Sequence, residues 1–179
     1  MLALVTRSFN SANCGYELAR RGYYQQAIAL ARMIDEDWLT SYDVAFNQST
    51  QDALWNQSRP NRAFKSIAQD ISKDDGAWWD DLYGTTSEIS HPRGLSLVMQ
   101  FEKGWVRLGP IYDRDLALGS LASLIGAADR MLAVLNGVFN LGLDGAIGRL
   151  DTDIKAWLTW AKTESPVAEG LSLDPPDLT

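Results

Sequence analysis

One cysteine and one histidine in 179 residues exclude several chemistries at once. A single cysteine cannot close an intrachain disulfide, and Cys14 with His91 cannot supply the nitrogen and sulfur ligands of an ordinary zinc site. No phosphate loop, nucleophile elbow, dinucleotide fingerprint or histidine pair occurs, so neither metal nor cofactor is expected. Cys14 lies in a helical pattern without a neighbouring histidine and reads as a buried thiol. A basic surplus is missing too: the formal charge is −7. Glu164, Glu169, Asp174 and Asp177 fall in the last stretch, which leaves the body only mildly acidic. Broad attraction to a phosphate backbone needs a clustered basic face, and this balance argues against one. The opening Met-Leu-Ala-Leu-Val-Thr-Arg has neither a basic leader nor a long apolar region, and the uncharged run Leu116 to Ala128 is too short to span a bilayer. A cytoplasmic protein with no membrane contact is the expectation.

What is present is 46% hydrophobic residues, enough for one sizeable core. Leu2, Val5, Phe9, Ala12, Tyr16, Ala19 and Tyr23 recur at steps of three and four, which predicts a first helix with that apolar seam. Arg20-Arg21-Gly22 is a helix stop, and a second, antiparallel helix follows with Ala27, Ala31, Ile34, Trp38, Tyr42 and Ala45 on its core face. A short helix capped by Ser49 or Thr50 runs through Trp55, and Ala63, Phe64, Ile67, Ala68 and Ile71 resume a helical face. Trp78, Trp79, Leu82, Tyr83, Thr86 and Ile89 mark another helix, closed by Pro92. Between Gly94 and Tyr112 the period changes to two around a Lys103-Gly104 turn, which predicts a β-hairpin. Leu121, Leu124, Ala128, Leu132, Leu135 and Phe139 share a face of a long helix, and Ile147, Leu150, Ile154, Trp157 and Ala161 form a last amphipathic one. The fold expected is mainly α: an up-and-down bundle of five to seven helices with one hairpin at about 94–112. It forms a single domain over 1–163, with a flexible, acidic, proline-containing tail at 164–179.

The candidate site centres on Tyr83, Ser87 and His91, spaced by four so that a phenol, a hydroxyl and an imidazole stack along one helical stripe. An imidazole at a helix C-terminus is biased toward its cationic form, so His91 could act as an acid or base, or bind an anion beside Arg93. The alternative is structural, with His91 hydrogen-bonding a backbone carbonyl at the helix end. Arg32 and Glu36 lie four apart in the less favourable orientation for an ion pair on a helix, which suggests half of a buried polar cluster facing His91. The ordinary reading is a solvated ion pair.

Tyr-Glu-Leu-Ala-Arg-Arg-Gly-Tyr-Tyr, then Ala-Leu-Ala-Arg-Met-Ile-Asp-Glu, then Leu-Tyr-Gly-Thr-Thr-Ser-Glu-Ile-Ser-His-Pro resemble a group of bacterial helical proteins related to the HEPN superfamily, over roughly Ala12 to Phe139. The resemblance implies a helical bundle, frequent homodimerisation and, in active members, metal-independent RNA cleavage by an arginine four to six residues before a histidine. Here those positions are Ser87, Thr86 and Thr85, so only His91 carries over. The resulting expectation is a homodimeric, non-catalytic binding or assembly module in a phage-defence or stress setting. Its ligand-binding residues are Tyr83, Ser87, Arg93, Arg32 and Glu36. The rival is a ribonuclease acting on RNA or a nucleotide through His91, with Arg93 or Arg32 supplying the guanidinium.

Overall fold

The computed structural model describes residues 1–56, 63–71, 79–80, 101–102, 105–106, 110 and 112–164. Helix α1 (Leu2–Arg20) stops where the sequence asks it to. Gly22 adopts φ +80°, and the Tyr23 and Gly22 amides donate to Leu18 O and Ala19 O, which satisfies two orphan carbonyls in a Schellman arrangement. α2 (Tyr24–Phe46) then runs back along α1. Asn47 opens the next turn: its side-chain oxygen accepts from the Ser49 amide, so Asn47, rather than Ser49 or Thr50, holds the start of α3 (Gln48–Trp55). α4 (Phe64–Ile71) follows, and the long α5 (Arg114–Phe139) is capped by the Asp113 side chain accepting from the Leu116 amide. Asn140 at φ +48° and Gly142 at φ +67° turn the chain into α6 (Asp144–Glu164).

Three helices make the body. α2 lies between α1 and α5, and α1 also touches α5. The Tyr24 hydroxyl accepts from the Asp113 amide, and Arg130 reaches Asp35, so α2 and α5 run parallel and α1 runs antiparallel to both. Ala27, Ala31, Ile34, Trp38 and Leu39 of α2 pack with Leu124, Ala127, Met131 and Val134 of α5, while Ile67 and Ala68 of α4 and Trp79 close the cluster. The Trp79 ring tilts against Phe64 at 5.6 Å between centroids. α6 adds a small second cluster, Ala122 and Ile154 with Ile125 and Trp157 at its edge.

The bundle of helices is as expected, with six among the described residues. Of the hairpin, β1 (Phe101–Glu102) and β2 (Trp105–Val106) pair antiparallel, Phe101 opposite Val106 and Glu102 opposite Trp105. Four residues do not establish a strand pair of the predicted length. The rest of 94–112, apart from Pro110 and Tyr112, lies outside the described residues, as does the tail beyond 164.

Two helix faces differ from expectation. On α1 the buried residues are Ser8, Ser11, Gly15 and Ala19, whereas Leu2 (76% exposed), Phe9 (67%) and Tyr16 (53%) face outward. Periodicity finds a stripe but not which neighbour it meets, and here the Leu124 side chain fills the space beside Gly15, on the face of small residues. Cys14, expected buried, is exposed for the same reason. On α5 the core takes Leu118, Leu124, Ala127, Met131 and Val134, leaving Ala128 and Phe139 outside. α5 is long and apolar enough to cross a membrane by length and composition, but most of its most apolar window is buried against neighbouring helices.

The closest approach is at Gly15, where a β-carbon would lie 2.5 Å from Leu124 Cδ2. Gly15→Val should therefore lower stability by about 2 kcal/mol or more through overpacking. Gly148→Ala on α6, where nothing lies within 4 Å, should raise it by roughly 0.5–1 kcal/mol through helix propensity. Thermal and urea melts of both variants check the pair.

Candidate functional site

Ile34-Asp35-Glu36-Asp37-Trp38 puts three acids in a row on the central helix. Successive helical residues point about 100° apart, so three adjacent carboxylates cannot share a neighbour. Each finds a different arginine. Asp35 turns toward α5, where Arg130 Nε and Nη2 donate to its Oδ1 at 3.1 and 2.8 Å, and Trp38 Nε1 donates to the same oxygen at 2.9 Å. Both Asp35 and Arg130 are 2% exposed. Asp37 turns toward α1, accepting from Arg7 through Nε at 3.0 Å and through Nη2, and from Ser8 Oγ at 2.9 Å. Glu36 stays on its own helix and accepts from Arg32 Nε at 3.1 Å. A fourth acid, Asp43, is buried at the α2–α3 corner, where it accepts from the Thr50 hydroxyl and from Asn47 Nδ2 at 3.3 Å.

The electrostatics follow from burial. Loss of water pushes the Asp35 carboxyl above the ordinary carboxylate value, and the charge and hydrogen bonds of Arg130, with the Trp38 indole, oppose that shift. The hydrogen bond to Asp37 raises Arg7 above its usual value; burial works against it, and the charges of Asp37 and Glu36 add to the rise. Two buried side-chain oxygens, Ser41 Oγ and Asp129 Oδ1, have no hydrogen-bond partner among the described residues. No group of three or more histidine, cysteine, aspartate or glutamate side chains able to hold a metal occurs among the described residues.

Of the residues expected to form the site, Tyr83, Ser87, His91 and Arg93 lie outside the described residues. Arg32 and Glu36 do pair, with side chains 16% and 31% exposed. Their ion pair is partly buried, and the Glu36 charge also acts on Arg7, which is paired with Asp37. The residues the sequence reading missed are Asp35, Asp37, Arg7, Asp129 and Arg130. A signal was available for all but Arg7: Asp129-Arg130 interrupts an otherwise apolar α5, and Asp35 and Asp37 lie between the core residues Ile34 and Trp38. What the sequence does not carry is the pairing, since Asp35 and Arg130 are 95 positions apart.

Comparison of the chain with protein-family models, with curated proteins and with solved structures finds no match. The arrangement must therefore be read from its own chemistry. Every arginine of the acidic ladder already has a carboxylate partner, so the ladder offers cohesion between helices rather than a cation free to meet a substrate.

Arg130→Met should destabilise the chain by about 3–5 kcal/mol, because it leaves a buried carboxylate without its cation. The sign with pH follows. A carboxyl raised in the folded state favours folding below its ordinary value, and that contribution fades as pH rises through the folded value. With Arg130 gone, Asp35 rises further, so the loss should be smaller at about pH 5 than at about pH 8. Urea midpoints of wild type and variant at the two pH values measure it.

Proposed function

We propose that this chain is a non-catalytic assembly module that works by pairing with a second copy of itself through the outer face of α1 and the adjoining edge of α5. The observation that carries this reading is the outward placement of Leu2, Phe9 and Tyr16. They recur every seven residues, and with the partly buried Val5 and Ala12 they make one apolar stripe along the helix. α5 runs antiparallel to α1 with Leu124 against Gly15, which puts exposed Phe139 at the Leu2 end of the bundle.

Charge favours a second copy as the occupant. The chain has 23 acidic residues and a net charge of −7, so two copies repel over most of their surfaces. Residues 1–16 contain no acid, and their single arginine, Arg7, is neutralised by Asp37. An acid-free apolar face is where such a chain meets itself at least electrostatic cost. Two adjoining helix faces, each roughly 28 Å long and about 10 Å wide, offer roughly 500–600 Å² per copy. A standard interface uses about 800 Å² per partner, so this face is at the small end of the range for specific association.

The similarity to HEPN-related proteins adds homodimerisation, a phage-defence or stress setting and a cytoplasmic location to this proposal. The hairpin over 94–112, with its edge as a further contact, belongs to it as well. For the rival ribonuclease reading, Arg32 is a poor replacement for the missing arginine, because its guanidinium already bonds Glu36.

Sedimentation velocity at tens of micromolar should show a species of twice the 19.8 kDa chain. Phe9→Glu, at an exposed position, should leave the melting temperature nearly unchanged and weaken the dimer by about tenfold or more. A wild type that stays monomeric at every concentration, or a variant that dimerises equally well, overturns the reading.

A further inference from the structure

Among the described residues, Asp129 is the one buried acid with a side-chain oxygen that has no hydrogen-bond partner. It is 9% exposed, its Oδ1 has no partner, and its neighbour Arg130 is turned to Asp35 instead. Its place on α5 explains what it faces. Ala122, Ile125 and Asp129 lie three, four and seven apart, so Asp129 shares the strip on which α6 packs. The loop at 140–143 is short, so α6 runs antiparallel to α5 and brings Ile154 back onto that strip, with Asp151 one turn nearer the loop and Lys155 beside it.

The attachment of α6 is uneven along its length. At the loop end it is clasped: Asn136 Nδ2 donates to Asp144 Oδ1 at 2.6 Å, and Asn136 Oδ1 accepts from the Leu143 amide at 2.9 Å. Beyond the clasp the contact rests on Ala122, Ile154, Ile125 and Trp157, a small cluster by comparison with the main core. Asp129 and Asp151 stand between these two parts. Lys155 Nζ holds Asp151 at 3.1 Å, which leaves Asp129 to face a carboxylate with its Oδ1 unpartnered.

We propose that Asp129 and Asp151 form a proton-operated latch between α5 and α6: a proton on Asp129 closes it, and loss of that proton loosens the distal part of α6 from Ala122 and Ile125 while the Asn136 clasp remains. The proton is taken from solvent and held on Asp129, where it removes the negative charge that Asp151 opposes. On deprotonation the two facing acids repel. The charged groups acting on Asp129 are Asp151 and Lys155 from α6 and Arg130 from its own helix. Burial raises Asp129 above the ordinary carboxylate value, Asp151 raises it further, and Arg130 and Lys155 pull it down. The docked state therefore binds the proton more tightly than the undocked one. Docking is strongest below the ordinary carboxylate value and weakens as pH rises through the docked value. This proposal is independent of the α1 face, and dimerisation can fail without touching it.

The test is amide hydrogen exchange of the full chain from about pH 5 to about pH 8, expressed as protection relative to the intrinsic rate at each pH. In the wild type, α6 protection beyond Asp151 should fall with rising pH, by at most about tenfold per pH unit. Protection in α2, which reports global opening, should not follow it. Asp129→Asn, which keeps the shape and cannot ionise, should hold α6 protected and independent of pH, and Asp151→Asn should flatten the wild-type dependence. Constant α6 protection in the wild type overturns the latch, and so does an unchanged pH dependence in Asp129→Asn. The wild-type profile decides even if a variant fails to fold.

Discussion

The bundle depends on the charge pair buried between α2 and α5. An uncompensated carboxylate or guanidinium in a dry core costs several kcal/mol, so Asp35 and Arg130 can be buried only together. This requirement acts as a register constraint. Apolar surfaces tolerate sliding, but a two-nitrogen grip on one oxygen does not, and it fixes which turn of α5 lies beside which turn of α2. The Trp38 indole completes the constraint by spending its only donor on the same carboxylate.

Once that register is set, the rest of the packing follows. α2 is the central element, and its three adjacent acids distribute cohesion in three directions: to α5, to α1 and along α2 itself. The α1–α2 contact is closed by Asp37 with Arg7 and Ser8, and the α1–α5 contact by the absence of a side chain at Gly15. Leu124 occupies the space beside Gly15, and α1 gives its serines, glycine and alanine to the core. Its large residues are then left outside, which is the origin of the face read above as an assembly surface.

Much of the architecture was legible in the chain. The stop at Gly22, the helix through Trp55 and the helix resuming at Phe64 all follow from local rules of capping and backbone freedom. The core face of α2 was legible too, because Ala27, Ala31, Ile34 and Trp38 leave one stripe with no competing one. The face of α1 was not. Phe9 and Tyr16 carry more hydrophobic weight than Ser8 and Gly15, and a rule that buries the heaviest stripe chooses wrongly when interhelical distance is what limits packing. The candidate site fared differently. Arg32 and Glu36 were found as a pair because the pair is local. Asp35 with Arg130, and Asp129 with the groups of α6, were not, because they join separate helices.

The sequence by itself determined that the fold is a helical bundle and that its first helix stops at Gly22, because those outcomes depend on residues within a turn or two of one another. Only the tertiary structure decided which face of α1 is inside and which arginine answers which aspartate. Those outcomes depend on the distance between helices and on the cost of burying a charge alone, and neither quantity exists until the helices meet.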